Sequence, residues 1–190
     1  AQDLQISSRG FGARAAFGVR GLRLYADGIP ATMPDGQGQV AHFDLANAQR
    51  IEVLRGPFSV LYGNSSGGVI ALFTEPVRDR RLELALDGGS AGLQQARLRA
   101  DAPLTTHLGA QLSVADTQVE GFRPQSAAHR TLGNLRLGWD QGPDRVTMVL
   151  SSQDQHAQDP LGLTRAQFDA DPYQTTAQAA QFDTRKAISQ

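Results

Sequence analysis

The sequence predicts a small α+β domain, a mixed sheet with short helices, followed by a run of antiparallel strands. Three observations carry this. The hydrophobic pattern changes near Pro76 from short, mixed segments to strict two-residue alternation. The stretch Val69 to Phe73 is almost wholly apolar, as a strand buried on both faces requires. After residue 80 the connections run alternately short and long.

In the first part, Leu22 to Ala26 reads as a strand closed by the turn pair Asp27-Gly28, with Pro30 blocking its extension. A Gly/Pro loop spans Ala31 to Val40. Phe43 to Ala48 and Phe58 to Leu61 each suit one helical turn, and between them Ile51 to Leu54 forms a short strand ended by Gly56-Pro57. Gly67-Gly68 then introduces the apolar strand. In the second part the apolar residues fall at alternate positions: Leu82, Leu84 and Leu86; Ala96, Leu98 and Ala100; Leu108, Ala110, Leu112 and Val114; Leu135, Leu137 and Trp139; Val146, Met148 and Leu150. A sixth strand is expected to begin near Phe182. Short connections at Pro103 to His107 and Gln141 to Asp144 alternate with long ones at Asp116 to Arg130 and Asp154 to Gln181, as tight periplasmic turns alternate with long outer loops in membrane barrels. A soluble antiparallel sandwich also alternates in this way, so periodicity leaves both architectures open.

Composition narrows the function classes. No apolar run approaches the ~18 to 20 residues of a spanning helix, whereas a barrel strand needs only about 9 to 11. With 18 basic and 19 acidic residues the net charge is −1, which offers no footprint for nucleic acid. The absence of Cys excludes disulfide frameworks and thiolate metal sites. The chain opens at Ala1 without an initiator Met or a basic-then-apolar leader, which neither demonstrates nor excludes export.

Two motifs invite catalytic readings. Gly10-Phe11-Gly12-Ala13-Arg14-Ala15 fits the dinucleotide fingerprint, with Asp27 near the distance of a ribose partner, but residues 13–21 are too few for a crossover helix. No cofactor is therefore expected. Gly63-Asn64-Ser65-Ser66-Gly67 matches the nucleophile elbow of serine hydrolases, which would make Ser65 the nucleophile. An elbow joins a strand to a helix, yet these glycines lead into the strand Val69 to Phe73, so a plain turn is the better reading and no enzyme is expected. His42, His107, His129 and His156 lie far apart, without metal-ligand spacing. Glu52 and Arg55 in Ile51 to Pro57, and Arg9 before Gly10, are charges set between apolar neighbours. They read either as an internal ion-pair cluster or functional site, or as solvated surface charges.

The same residues carry a family resemblance. Ile6 to Gly12 (Ile-Ser-Ser-Arg-Gly-Phe-Gly), Asp27 to Pro30 (Asp-Gly-Ile-Pro), Ile51 to Pro57 (Ile-Glu-Val-Leu-Arg-Gly-Pro) and Leu61-Tyr62-Gly63 followed by Gly67 to Ile70 occur in the order and spacing of the plug of TonB-dependent receptors. The wording of Gly28 to Gln39 is similar to the branch that includes ferric-citrate-like and YncD-type receptors. By this resemblance, residues 1–76 are the C-terminal half of the plug, and residues 80–190 are the first five to six strands of a transmembrane β-barrel. The chain is then expected to be a fragment of a ~22-stranded plugged barrel, too few strands to close one.

The resemblance implies TonB-dependent active uptake of a scarce solute across the outer membrane of a Gram-negative bacterium. An iron-siderophore or iron-chelate is the foremost cargo, with a vitamin or small cofactor as the alternative. The implied partners are a TonB-type energy-coupling protein, whose contact segment would lie outside this chain, the solute, and outer-membrane lipid. Arg9 and Arg55, with Glu52 nearby, would form a charge cluster latching plug to barrel. Arg14, Phe17, Met33, Asp35 and Gln37, in the outward loops Phe11 to Phe17 and Ala31 to Gln39, would meet the solute. No catalytic or metal-binding residue is implied. The rival readings are a secreted serine hydrolase using Ser65 and a soluble β-sandwich binding module.

Overall fold

The computed structural model describes residues 5–15, 18–40, 42–56, 59–63 and 67–189. The chain divides into two compact units, Gln2–Pro76 and Val77–Gln190.

The first unit is a four-stranded mixed sheet in the order β3-β2-β6-β5, built from β2 (Arg23–Ala26), β3 (Ile29–Pro30), β5 (Ala48–Leu54) and β6 (Val69–Thr74). A ribbon of β1 (Val19–Arg20) and β4 (Gln37–Gly38) stands beside it, and a short helix α1 (Ser59–Tyr62) precedes β6. The expected turn at Phe43 to Ala48 is a 3-10 turn over Leu45–Asn47. Strand β6 pairs in parallel with β2 and antiparallel with β5, so its two edges are both occupied. That central position explains its apolar run: Val69, Ala71 and Leu72 are buried. The core gathers Val19, Leu22, Leu24, Phe43 and Leu72, with Ile6, Val40 and Ile70 packed around it.

Asp27 does more than turn the chain. In the left-handed region (φ 51), it places its carboxylate to accept from the Thr74 amide at 2.8 Å and from the Thr74 hydroxyl at 2.6 Å. One residue therefore ends β2 and fastens the far end of β6. Asp27→Ala strands the Thr74 donors and is expected to cost about 1–3 kcal/mol locally. Hydrogen exchange of the β6 amides in the full-length protein checks this. Faster exchange in the alanine variant, largely prevented in Asp27→Asn, is the expected result, and unchanged exchange would remove the anchor from the account.

The second unit is a six-stranded antiparallel meander in the order β12-β11-β10-β9-β8-β7: β7 (Arg81–Gly88), β8 (Gln94–Pro103), β9 (Leu108–Val119), β10 (Ala128–Gln141), β11 (Asp144–Gln158) and β12 (Arg185–Ser189). The strands outrun the apolar alternation. Strand β9 continues to Val119 and β11 to Gln158, so the connections expected from Asp116 and Asp154 shorten to residues 120–127 and 159–184. The longer one contains two short helices, α2 (Arg165–Ala170), with a Thr164/Gln167 capping box, and α3 (Ala177–Phe182). Phe182 thus ends a helix, and the sixth strand starts at Arg185.

Burial decides between barrel and sandwich. On one face Asp101, Gln111, Ser113, Gln153 and Gln155 are buried, while on the other Leu82, Leu84, Leu86, Leu112, Met148 and Leu150 are exposed. Gln111 is 3% accessible and its neighbour Leu112 is 43%. A soluble sandwich hides its apolar face and wets its polar one. This inversion is what a wall between lipid and a polar lumen requires, and the soluble-sandwich reading is set aside on that ground.

The slope of the apolar band gives the strand tilt. In register, Leu84 on β7 lies level with Leu98, Val114, Gly133 and Ser152 on the following strands. The centre of the apolar set, however, passes from Leu84 on β7 to Met148 on β11, a slip of about one residue per strand. With ~3.3 Å per residue and ~4.8 Å between strands, a horizontal membrane band demands a tilt of ~35°. Outer-membrane barrels tilt by about 35–45°.

Candidate solute-contact loops of the plug

Two loops of the first unit hold the residues expected to meet a solute. The first is a tight turn in which Ser8 and Phe11 exchange backbone hydrogen bonds of 3.0 and 2.9 Å, followed by a bond from the Ala15 amide to the Gly12 carbonyl at 3.0 Å. A Cβ on Gly12 would press against the carbonyls of Ile6 and Arg20, and one on Gly67 against Phe11 and the Gly21 carbonyl. Gly12 of the apparent dinucleotide motif and Gly67 of the apparent hydrolase motif therefore serve close backbone packing. Ser65 itself, with Phe17, lies outside the described residues. Arg14 is exposed on this turn.

The second loop runs from Thr32 to Gly38. Met33 donates its amide to the Gln37 carbonyl at 2.8 Å, Gly36 donates to the Met33 carbonyl at 2.9 Å, and the Asp35 carboxylate accepts from the Gln37 amide at 3.0 Å. Arg20 donates to the Gln37 side-chain carbonyl at 3.0 Å. The loop is thus a preformed hairpin tip presenting an exposed Met33. It is seated on the core, since the buried Thr32 hydroxyl accepts from the Leu24 amide at 2.8 Å. Met33, Asp35 and Gln37 come together here, while Arg14 stands on the other loop. Arg20, which braces Gln37, is not among the residues expected from the sequence. Its signal, the pairing of Arg20 with Gln37 in the β1–β4 ribbon, spans only two residues per strand and has no readable alternation.

The three charges between apolar neighbours are not joined to one another in this chain. Glu52 takes Arg50 at 2.7 Å, and Arg50 also lies over the Phe73 ring, 4.1 Å from its centre. Arg9 (φ 54) and Arg55 are exposed. Of the histidines, His42 packs edge-on against Phe43, and burial holds its pKa below the ordinary value. His107 approaches the Asp140 carbonyl, His129 pairs with Asp116 and His156 with Asp154. Among the described residues no group of three or more His, Asp or Glu side chains is arranged to hold a metal ion.

Comparison with known proteins agrees with this architecture. The model of the TonB-dependent Receptor Plug Domain matches residues 1–69. The metal-pseudopaline receptor CntO of Pseudomonas aeruginosa is 31% identical over 110 residues, 56% of this chain and 16% of that protein. A hemin receptor of Yersinia enterocolitica is 31% identical over 121 residues, 63% of this chain and 17% of that protein. Among solved structures, the unliganded ferric citrate transporter FecA superposes with a TM-score of 0.68 at 25% identity, covering 92% of this chain and 30% of that one. The copper transporter OprC shares the fold, with a TM-score of 0.60 at 21% identity over 75% of this chain and 24% of that one. The chain spans about a sixth of the length of the curated relatives it matches. Residues 1–69 thus match the plug domain of TonB-dependent receptors, and the chain as a whole, a plug sheet followed by a wall with exposed leucines on one face and buried polar side chains on the other, is similar over both parts to a transporter of known structure.

Proposed function

We propose that the receptor to which this chain belongs takes up an iron-siderophore or iron-chelate, with a TonB-type coupling protein supplying the energy. The observation that carries the reading is the joint likeness of plug and wall to a ferric citrate transporter. Relatives named for hemin and for metal-pseudopaline support a metal-chelate cargo. Arg14 on one outward loop and Arg20 bracing the other supply cationic donors suited to an anionic chelate. Met33, Asp35 and Gln37 complete the contact surface, together with Phe17.

Uptake requires tight binding at rest and release on demand, so the plug must have two states that differ in affinity. Arg9, Glu52 and Arg55 suit a latch between them. Exposed in this chain, Arg9 and Arg55 would be neutralised by carboxylates of the completed barrel, and a charge latch of this kind yields when its partners are repacked. Equilibrium titration of the purified full-length receptor with ferric citrate, a ferric hydroxamate and heme tests the proposal. Binding of one of them, weakened about tenfold or more by Arg14→Ala or Met33→Ala, is the expected result. A folded barrel that binds none of the three would overturn the iron reading and leave a vitamin or other small cofactor as cargo.

A further inference from the structure

At the end of the wall bearing the long connections, three loops meet: residues 89–93, 120–127 and 159–184. Their joints are hydrogen bonds from one loop to the next. The Ala91 carbonyl accepts from the amides of Glu120 and Gly121 at 2.9 and 3.0 Å. Arg123 then reaches into the longest loop, where Nε donates to the Gln174 carbonyl at 2.7 Å, and Nη2 to the carbonyls of Pro160 and Leu161 at 3.1 and 3.0 Å. Gln125 donates to the Asp183 carboxylate at 2.7 Å, and the Thr175 hydroxyl to the Pro124 carbonyl at 2.5 Å. The base of the long loop is closed by the Asp159 amide on the Thr184 carbonyl and the Thr184 hydroxyl on the Asp159 carbonyl.

Backbone strain collects at these joints. Among the described residues, six that are not glycine have positive φ, and four of them are Ala91, Gln125, Leu161 and Asp183. Each is held by a loop-to-loop bond just named. Such conformations persist only where the surroundings over-determine them. A flexible lid would relax them.

We infer that the three loops are a prefabricated rim pinned by Arg123, which keeps one shape whether or not solute is present. Closure over a bound solute would then have to come from other parts of the mouth. The inference rests on the outer-membrane placement of this wall but not on the identity of the cargo. Arg123 suits the task because its planar fork engages both flanks of the loop, at 160–161 and at 174. The exposed rings of Phe122, Phe168 and Tyr173 are accordingly carried on a fixed surface.

The test is hydrogen exchange of the detergent-purified full-length receptor, comparing wild type, Arg123→Ala and Arg123→Lys. Peptides from 159–184 should exchange about tenfold or more faster in the alanine variant, with strands β7 to β10 unchanged. Lysine should not restore protection, because one ammonium cannot span both flanks. Equal exchange in wild type and alanine variant would overturn the rim. Should Arg123→Ala fail to assemble as a heat-modifiable barrel, the double variant Gln125→Ala/Asp183→Ala opens a single joint and should speed exchange near residues 182–185. Unchanged exchange there would overturn the rim equally. Trypsin on cells carrying Arg123→Ala separates this failure from that of the membrane reading. Cleavage at Arg165 in intact cells is expected, whereas cleavage only after permeabilisation would put the loops on the wrong side.

Discussion

Leu112→Arg is expected to impair assembly of the full-length receptor by about 2–4 kcal/mol, while Ser151→Arg, one register row away on the opposite face, is expected to cost little. Both side chains are exposed in this chain, so a soluble protein would tolerate either within about 0.5 kcal/mol. A bilayer makes them unequal. Leu112 sits level with Ala100, Leu135 and Leu150 in the apolar band, where a guanidinium meets hydrocarbon. Ser151 lies opposite Asn134, to which its hydroxyl donates, on the face that carries Gln153 and Gln155. The measurement is the denaturant midpoint for insertion of the refolded receptor into phospholipid bilayers, with the heat-modifiable fraction in cells as a check. Equal behaviour of the two variants would mean that the exposed leucines do not face lipid, and would revive a soluble sheet.

How much of this was legible in the sequence depends on the range of the interaction involved. The five alternating segments are read from period alone, because every second side chain of a strand shares an environment. The alternation does not say which environment is lipid. Leu112 beside Gln111 reads the same way in a sandwich, and only burial in three dimensions separates the two. The strand ends were underestimated where the outer face turns polar above the band. Asp116, Thr131 and Asp154 share one row across β9, β10 and β11, so the ladder continues after the hydrophobic signal has stopped.

In the plug, the turn at Asp27-Gly28 was readable as a turn, but its bond to Thr74 crosses most of the domain and leaves no local trace. The glycines at 67 and 68 illustrate the same limit. Gly67 closes the spacing of a hydrolase-like motif, while the cause of the pair is the approach of Phe11 to Gly67 and of the Leu54 carbonyl to Gly68. The solute-loop residues drawn from the family resemblance could not include Arg20, whose role comes from a two-residue ribbon. Arg123 was invisible for a related reason. An arginine in a polar loop is unremarkable until its three carbonyl partners, far away in the chain, are brought together by the barrel register.

Leu24→Ala should have the largest effect on the plug, about 2–5 kcal/mol. The side chain is 0% accessible and belongs to the central cluster with Val19, Leu22, Phe43 and Leu72. It also supports the Thr32–Gly38 hairpin, the proposed solute-contact loop, from below. A Cβ on Gly38 would come within 2.6 Å of Leu24 Cδ1, and the Leu24 amide is the donor that holds the Thr32 hydroxyl. Truncation therefore leaves a cavity lined on one side by the core and on the other by the base of the loop that presents Met33, Asp35 and Gln37. The interior cannot collapse freely there, because β2 is fixed between β3 and β6. Hydrogen exchange in the full-length receptor should accelerate in β2, β6 and the Thr32–Gly38 hairpin together, with the barrel strands unaffected. If β2 and β6 loosen while the hairpin keeps its protection, core and loop are energetically separate. The preorganisation of the contact surface would then have to come from Arg20 and Asp35 alone.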